Sequence, residues 1–248
     1  MTVPTSYFAT VRRNSFVVNY LRLNEKSGTK AYDYAAKYGL NGIYDGTPNP
    51  QGHGALILND SSAGSALFGS TGQNVEIPDA APLRITGNIT LEMWIIPYEK
   101  EQTCALLSKM NAAVTFPAPY YLGLSSGKPF IALGNGATET KLSGSVLIPV
   151  GSPYHLVVSL FRKKLYLYIN GIEVESKSLG AQEIKDEKQP VFVGALSGNT
   201  KRFNGLIGET VIYNGAISPR AVERHFKIGQ QIVPNTSHVT TFDPPSYS

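Results

Sequence analysis

An Asn-Gly pair at positions 170 and 171 separates two short runs of aliphatic, aromatic and β-branched residues, and this arrangement constrains the fold more than any other feature. The two runs cover residues 165–169 and 172–175, and a third run at 155–160 precedes them. A type I′ turn needs a positive φ at both central positions, which Asn and Gly tolerate well. The segment 154–178 therefore predicts an antiparallel meander of three strands.

The middle run of this meander is apolar on both faces. Leu165, Leu167 and Ile169 point to one side and Tyr166 and Tyr168 to the other, because side chains alternate along a strand. A strand without a polar face is expected to be covered on both sides. We therefore expect residues 165–169 to form a central strand of a layered β structure.

The remaining sequence repeats this alternation of short apolar runs and turn residues. Only 16% of the residues are charged and 24 are glycine, which is typical of short strands joined by tight turns. Trp94 is expected to be a core residue of one such strand. Further strands are predicted at 16–24, 55–58, 66–68, 74–77, 89–96, 105–109, 120–124, 129–133, 141–145, 190–194 and 203–213.

The segments around these strands have a different character. Residues 1–15 predict an N-terminal arm with a short helix at 6–13, and the Gly-, Asn- and Pro-rich residues 25–52 predict a long irregular loop. Ser218 and Pro219 suit the start of a helix of one or two turns. Residues 230–248 predict an extended tail. No linker interrupts the strands, so we expect one domain at 16–229.

Charge and cysteine content exclude several classes of partner. The net charge of +4 comes from basic residues in short groups at expected turns, so we expect no nucleic-acid partner. Cys104 is the single cysteine, which leaves no intrachain disulfide. The N-terminal residues show neither a signal-peptide pattern nor a long apolar span, which disfavours classical secretion and membrane insertion.

Several longer stretches resemble a known family in their order and spacing. They are YLRLNEKSGTKAYD at 20–33, NGIYDG at 41–46, GALILNDSSAGSALFGSTGQNVEIPD at 54–79, ITLEMWIIP at 89–97, the meander, and RFNGLIGETVIYNGAISPRAVERHF at 202–226. Together they resemble the laminin-G-like, or concanavalin A-like, lectin domain in the version found in bacterial and phage structural proteins. The resemblance implies an all-β jelly-roll sandwich of two antiparallel sheets, with short helices near both ends.

The resemblance also implies a function. The opening TSYFATVRRNSFVVNYLRLNE is similar to the segment that precedes this domain in phage structural proteins. It implies a non-enzymatic virion protein, a capsid decoration or tail component, that contacts other virion proteins, copies of itself in an oligomer, and a surface glycan. The alternative is a carbohydrate-binding adhesion module outside a virion, extracellular or at the cell surface by a non-classical route. A polysaccharide-active enzyme is the third alternative.

Catalytic patterns are weak in this chain. Glycoside hydrolases with this jelly roll place Glu-x-Asp-x-Glu on one strand, so that the carboxylates converge on one face. The nearest run, at 183–187, has Lys185 where the aspartate would stand. The four histidines show no zinc-binding spacing. We therefore expect no enzymatic activity and no catalytic residues.

A calcium site is one candidate that the resemblance implies. Many relatives hold Ca²⁺ at a sheet edge with a carboxylate from the early loop, and the hard oxygens of Asp33 and Glu209 would suit this ion. The alternative is that Asp33 caps a turn and that Glu209 pairs with a nearby basic side chain. Calcium is the only candidate cofactor, and nothing in the sequence requires one.

A carbohydrate site is the other candidate. It needs exposed aromatic rings that stack on a sugar, with polar groups beside them. Tyr120, Tyr121, Tyr166 and Tyr168 are the candidates in this sequence. The alternative is that these tyrosines pack inside the sandwich.

Overall fold

Two antiparallel sheets pack face to face in the computed structural model, which describes residues 6–45, 52–69, 73–110, 118–180, 183–198 and 200–231. The first sheet contains β1 (Val17–Leu21), β4 (Ala66–Phe68), β6 (Ile89–Pro97), β11 (Tyr154–Phe161), β12 (Lys164–Ile169), β13 (Ile172–Ser178) and β15 (Gly205–Tyr213). The second contains β2 (Lys30–Ala31), β3 (Gly42–Asp45), β5 (Asn74–Ile77), β7 (Cys104–Lys109), β8 (Tyr120–Ser125), β9 (Lys128–Gly134), β10 (Glu139–Ser143) and β14 (Val191–Val193).

The order of the strands in each sheet requires long crossovers between the sheets. The seven-stranded sheet runs β1-β15-β6-β11-β12-β13, and β4 also pairs with β15. The eight-stranded sheet runs β10-β9-β8-β7-β14-β5-β3-β2. This is the predicted all-β sandwich of two antiparallel sheets, and it agrees with a concanavalin A-like jelly roll.

The meander that the Asn-Gly pair predicts is confirmed. Asn170 and Gly171 have φ values of 51° and 80°, as a type I′ turn requires. Arg162 and Lys163 adopt φ values of 48° and 61° in the turn between β11 and β12. The strand β12 lies between β11 and β13.

Alternation along the strands divides the apolar side chains between two cores. Leu91, Met93 and Ile95 of β6 belong to the main core between the sheets. Trp94, on the opposite face of the same strand, is fully buried in a second apolar cluster on the outside of the seven-stranded sheet. The prediction that Trp94 is a core residue is therefore confirmed.

Two helices build this second cluster. They are α1 (Tyr7–Arg12) and α2 (Pro219–Gly229), and they contact each other. Ser6 Oγ and Ser218 Oγ accept hydrogen bonds from amide groups in the first turn of each helix, which satisfies donors that lack partners within the helix. No helix in the described part of the chain is long and apolar enough to cross a membrane.

The helix α2 is longer than the sequence predicted, with 11 residues instead of one or two turns. Val222, His225 and Ile228 recur at helical spacing and are buried, so tertiary packing extends the helix. A short 3-10 turn also forms at Ala81–Leu83.

Two other local predictions are wrong. Residues 55–58 form no strand, because Leu56 and Ile57 pack in the second cluster and Leu58 donates its amide hydrogen to the Gly229 carbonyl at the end of α2. The predicted irregular loop at 25–52 contains β2 and β3, whose residues Lys30 and Ile43 pair. Of the predicted extended tail at 230–248, residues 232–248 lie outside the described residues, as do residues 1–5 of the predicted arm.

Candidate functional site

Glu92 of β6 is fully buried on the outer face of the seven-stranded sheet, beside α1 and α2. Tyr7 of α1 and Tyr213 of β15 each donate a phenol hydrogen bond of 2.6 Å to its carboxylate. The Nε2 atom of His155, on β11, lies 2.9 Å from Glu92 Oε1, and Nδ1 of His225, on α2, lies 3.0 Å from the same oxygen. Both helices and three strands therefore meet at one carboxylate.

Within this Glu92 network, the pKa of Glu92 is lowered and that of His225 is raised. Burial alone would raise the pKa of Glu92, but the two histidines outweigh it and hold this pKa well below its ordinary value. Burial alone would lower the pKa of His225, but the Glu92 carboxylate raises it above 6.5. Burial lowers the pKa of His155, whose Nδ1 has no partner among the described residues. Glu92 and His225 thus form a buried ion pair, and His155 is a neutral donor.

Aromatic rings enclose the Glu92 network. The Trp94 ring stacks on His155 with 4.9 Å between centroids, and Phe226 stacks on Trp94 at 6.0 Å. Tyr7 meets the Trp94 ring with its edge at 6.1 Å. This network attaches the helices to the sheet. Because the Glu92 side chain has no exposed surface, it offers no carboxylate to a bulky substrate.

Sequence reasoning did not find the Glu92 network. The wide spacing of the histidines argued against a shared site, yet α2 brings His225 next to His155 on the sheet. The one available signal was Glu92 itself, a charged residue inside a mostly apolar strand, two residues before Trp94. A charge at such a position needs a buried partner.

A second buried network surrounds Glu209, which lies at a β-bulge in β15 with a φ of 49°. Its carboxylate accepts a hydrogen bond from the Tyr20 phenol and two from Arg22, at 3.1 Å from Nε and 3.0 Å from Nη2. Arg22 also bonds Asp60 at 2.9 Å and Ser62 at 2.8 Å. Burial raises the pKa of Glu209 to about 7, although Arg22 and Tyr20 oppose this.

Asp33 closes the turn that follows β2. Its Oδ1 accepts the amide hydrogens of Tyr20 and Ala35, both at 2.9 Å, and its Oδ2 accepts that of Leu40 at 2.9 Å. These three bonds satisfy most of the acceptor capacity of the carboxylate. The sequence alternative, in which Asp33 caps a turn, describes this geometry.

Asp33 and Glu209 both bond Tyr20, through different groups of that residue. Asp33 accepts the Tyr20 amide, whereas Glu209 accepts the Tyr20 phenol. Within the ranges that the structure describes, no group of three or more His, Cys, Asp or Glu side chains is arranged to hold a metal ion. Calcium at Asp33 and Glu209 stays a prediction.

The eight-stranded sheet has an outer surface that carries neither α1 nor α2, and we call it the back face. Directly opposite residues in neighbouring strands share a face. The register therefore places one row of side chains across it, in the order Lys141, Ala132, Tyr121, Ser108, Phe192, Glu76, Ile43 and Lys30. Aromatic, aliphatic and charged side chains alternate along this row.

The chain after β14 covers the middle of the back face. Ser108 is fully buried, and its Oγ donates a hydrogen bond to the carbonyl of Leu196, with the Ala195 carbonyl 3.3 Å away. This contact divides the back face into a part around Tyr121 and a part around Ile43.

We call the part around Tyr121 the Tyr121 platform, formed by Tyr121, Phe130, Glu139 and Lys141. The Tyr121 and Phe130 rings meet edge to face with centroids 4.8 Å apart, and Lys141 Nζ lies 4.0 Å from the Phe130 centroid. Both rings pack over Gly123, where a Cβ would approach Tyr121 Cε2 to 2.9 Å and Phe130 Cε1 to 3.0 Å. Burial, with Cys104 and Glu139 nearby, raises the pKa of Tyr121, so its phenol remains a donor.

The four candidate tyrosines have different surroundings. Tyr120 is 0% exposed and donates to the Leu83 carbonyl, and Tyr168 is 2% exposed. Packing against the two cores buries both rings, so the expectation that they stack on a sugar is corrected. Tyr166 is partly buried, with the Tyr168 ring at 6.3 Å and Lys164 Nζ at 5.0 Å. Tyr121 is partly exposed on the back face.

Comparison with known proteins agrees with the fold described above. The family described as the Concanavalin A-like lectin/glucanases superfamily matches residues 68–223. A search of curated proteins finds no match.

Solved structures with the same architecture include domain 4 of AbnA, a GH43 extracellular arabinanase from Geobacillus stearothermophilus, in complex with arabinotriose. It has a TM-score of 0.61 and 19% identity over 86% of this chain and 98% of that one. The binding domain of Paraclostridial Mosquitocidal Protein 1 has a TM-score of 0.63 and 17% identity over 85% and 51%. The botulinum neurotoxin serotype D ligand binding domain in complex with N-acetylneuraminic acid has a TM-score of 0.65 and 14% identity over 90% and 52%. The chain spans about half the length of these toxin domains.

Proposed function

We propose that this chain, which belongs to the Concanavalin A-like lectin/glucanases superfamily, is a non-enzymatic carbohydrate-binding module that attaches to a surface glycan through the Tyr121 platform. The superfamily match covers residues 68–223, which contain the whole platform. The function follows from the chemistry of the site, because a shared fold alone does not determine a function.

The observation that supports this proposal is the geometry of Tyr121. Its ring is partly exposed, the edge-to-face contact with Phe130 holds it in place, and Gly123 provides the space beneath it. A fixed aromatic ring offers a flat apolar surface to the C–H groups of a sugar at little cost in side-chain entropy. Glu139 and Lys141 are exposed beside it and can bond the sugar hydroxyls.

The relatives support a carbohydrate ligand. Domain 4 of the arabinanase was solved with arabinotriose, and this chain covers 98% of that domain. The neurotoxin domain was solved with N-acetylneuraminic acid. An arabino-oligosaccharide is therefore a rational first probe for this chain.

The proposal of a non-enzymatic module rests on the two buried glutamates. Glycoside hydrolysis needs two carboxyl groups that face the substrate across the scissile bond. Glu92 is bonded to two tyrosines and two histidines, and Glu209 to Arg22 and Tyr20, and both carboxylates are buried. Neither can serve as acid or nucleophile without opening the protein.

The test is isothermal titration calorimetry of the purified protein with arabinotriose and with linear arabinan. Tyr121→Ala should weaken the affinity at least about tenfold, because it removes the stacking ring. Tyr121→Phe keeps the ring and should retain most of the affinity.

Tyr166→Ala is the matched control, since Tyr166 is also a partly buried tyrosine beside a lysine, but lies on the opposite sheet. Equal affinities of wild type and Tyr121→Ala across a broad glycan array would refute the proposal. Loss of affinity in Tyr166→Ala alone would move the site to the other sheet.

A structural role in a phage virion, in contact with other virion proteins and with copies of itself, stays a prediction from the sequence resemblance. Sedimentation of the protein with purified particles and light scattering of the protein alone would test it. The glycan proposal does not depend on the outcome, because a module with this platform can act inside or outside a virion.

A further inference from the structure

The part of the back face around Ile43 has a different chemistry from the Tyr121 platform. Ile43 is 52% exposed and pairs with Lys30 on one side and with Glu76 on the other. Tyr32 follows Lys30 by two residues and is 50% exposed, and Lys30 Nζ lies 4.9 Å from the centroid of its ring. An exposed ring, an ammonium group and an aliphatic side chain thus occur together at the edge of the sheet.

A second pair of the same composition follows within the same segment. Tyr38 is 45% exposed, and Lys37 Nζ lies 5.1 Å from the centroid of its ring. It belongs to the turn that the Asp33 carboxylate closes at Ala35 and Leu40. We call Lys30, Tyr32, Lys37, Tyr38 and Ile43, which belong to the hairpin formed by β2, β3 and the turn between them, the tyrosine–lysine patch.

Contacts with buried residues fix the backbone at Tyr32. The Tyr32 amide donates to Glu25 Oε1 at 2.7 Å, and the Tyr44 phenol donates to the other oxygen of Glu25 at 2.7 Å. The next residue, Asp33, forms a bridge with Leu21 of β1. Tyr32 is therefore presented by a fixed backbone, which lowers the entropic cost of binding through its ring.

The charges of this patch favour an anionic ligand. Lys26, Lys30 and Lys37 are exposed. Two of the three carboxylates between residues 25 and 45 are occupied, since Glu25 bonds Tyr32 and Tyr44, and Asp33 accepts three amide hydrogens. The third, Asp45, is exposed at the end of β3 beside Asn74. Exposed positive charge therefore predominates on the segment that carries the two rings, with three lysines against Asp45, and Glu76 is the carboxylate next to Ile43.

We propose that the tyrosine–lysine patch binds acidic polysaccharide, with sugar rings against Tyr32 and Tyr38 and the sugar carboxylates against Lys30 and Lys37. This inference rests on the proposed carbohydrate-binding function and adds a second site that selects for charge. A lysine held over a tyrosine is placed to meet a carboxylate on a sugar that stacks on the same ring. The Tyr121 platform lies across the covered middle of the back face and binds independently of charge.

The experiment compares two soluble polymers on the full chain. Polygalacturonate carries a carboxylate on each sugar, and linear arabinan carries none. Tyr32→Ala and the double variant Lys30→Gln/Lys37→Gln should each weaken binding to polygalacturonate by about fivefold or more, as the loss of an exposed cation–π or charge-assisted contact predicts. Binding to arabinan should not change in either variant, and raising the salt concentration should weaken only the polygalacturonate complex.

The matched control is Phe161→Ala. Phe161 is 43% exposed, and Arg162 lies 5.0 Å from its ring centroid, so it presents the same kind of pair at a turn of the other sheet. An equal loss of polygalacturonate binding in this control, or no loss in the Tyr32 and lysine variants, would overturn the inference.

Two further outcomes distinguish this inference from the proposed function. If Tyr121→Ala abolishes binding to both polymers while the patch variants bind normally, the charged site is refuted and the carbohydrate function stands. If the protein binds vesicles that contain phosphatidylserine, loses this binding in Tyr32→Ala, and ignores polygalacturonate, the patch recognises an anionic lipid and the inference is wrong.

Discussion

Replacing Glu92 by Gln tests whether one buried carboxylate holds both helices to the sheet. The substitution keeps the shape of the side chain but removes its charge and one of its two acceptor oxygens. It leaves the His225 imidazolium without a counter-charge beneath α2, and the Tyr7, Tyr213 and His155 donors compete for a single carbonyl oxygen. Breaking a buried charge pair from one side typically costs about 3–5 kcal/mol.

Such a loss would be a large part of the stability of the domain, since proteins of this kind are stable by about 5–15 kcal/mol. The assay is urea unfolding at pH 6, followed by the fluorescence of Trp94. Trp94 is the single tryptophan of the chain and stacks on His155, so its emission reports on the surroundings of the network. Glu92→Gln should shift the unfolding midpoint to a much lower urea concentration.

The matched control is Glu76→Gln, which removes the charge of an exposed glutamate on the back face and should change the free energy of unfolding by less than about 0.5 kcal/mol. A loss below about 1 kcal/mol in Glu92→Gln would refute the reasoning. It would mean that the tyrosines and histidines around Glu92 are satisfied equally well without its charge.

Three further predictions concern single contacts. His225→Gln should destabilise the protein more at pH 5.5 than at pH 8.5 in urea titrations. The pKa of His225 is raised in the folded state, so its stabilisation is present below its ordinary pKa of 6.5 and is lost as the pH rises through the folded value. An equal loss of stability at both pH values would contradict the ion pair. Asp33→Asn should lower the thermal midpoint by about 2–8 °C, because an amide cannot accept three backbone hydrogens and about 1–2 kcal/mol is lost. Melts of this variant in Ca²⁺ and in chelator should coincide. A calcium-dependent rise of the thermal midpoint in wild type alone would establish the calcium site. Gly123→Ala should lower the thermal midpoint and reduce arabinan binding, because the new methyl group would clash with the Cys104 carbonyl oxygen and would meet the Tyr121 and Phe130 rings at 2.9 and 3.0 Å. Unchanged arabinan affinity would show that the platform is not the site.

The sequence predicted the architecture because the sandwich depends on local signals. Turn residues such as Asn170 and Gly171, and alternation along β6 and β12, determine strand positions and the faces that are buried. The strands β2 and β3 escaped prediction because they are short and lie among Gly, Asn and Pro residues. They are stabilised by the pairing of β2 with β3 and of β3 with β5 rather than by their own pattern.

The candidate sites were harder to predict because they depend on contacts between distant strands. Tyr120 and Tyr121 are neighbours in the sequence, yet alternation places the first in the core and the second on the back face. Sequence alone could not decide which of the two faces inward. The Glu92 network forms because α2 packs against the sheet, and no local sequence pattern indicates this packing.

The Glu92 network also has a consequence for the order in which the protein forms. Tyr7 and His225 reach Glu92 from 85 and 133 residues away along the chain. Closing such long loops costs entropy before any bond is made, so we expect these contacts to form late in folding. During synthesis, which proceeds from the N-terminus, α1 leaves the ribosome long before residue 225 exists. We therefore expect the Glu92 carboxylate to be enclosed only after both α1 and α2 have been synthesised.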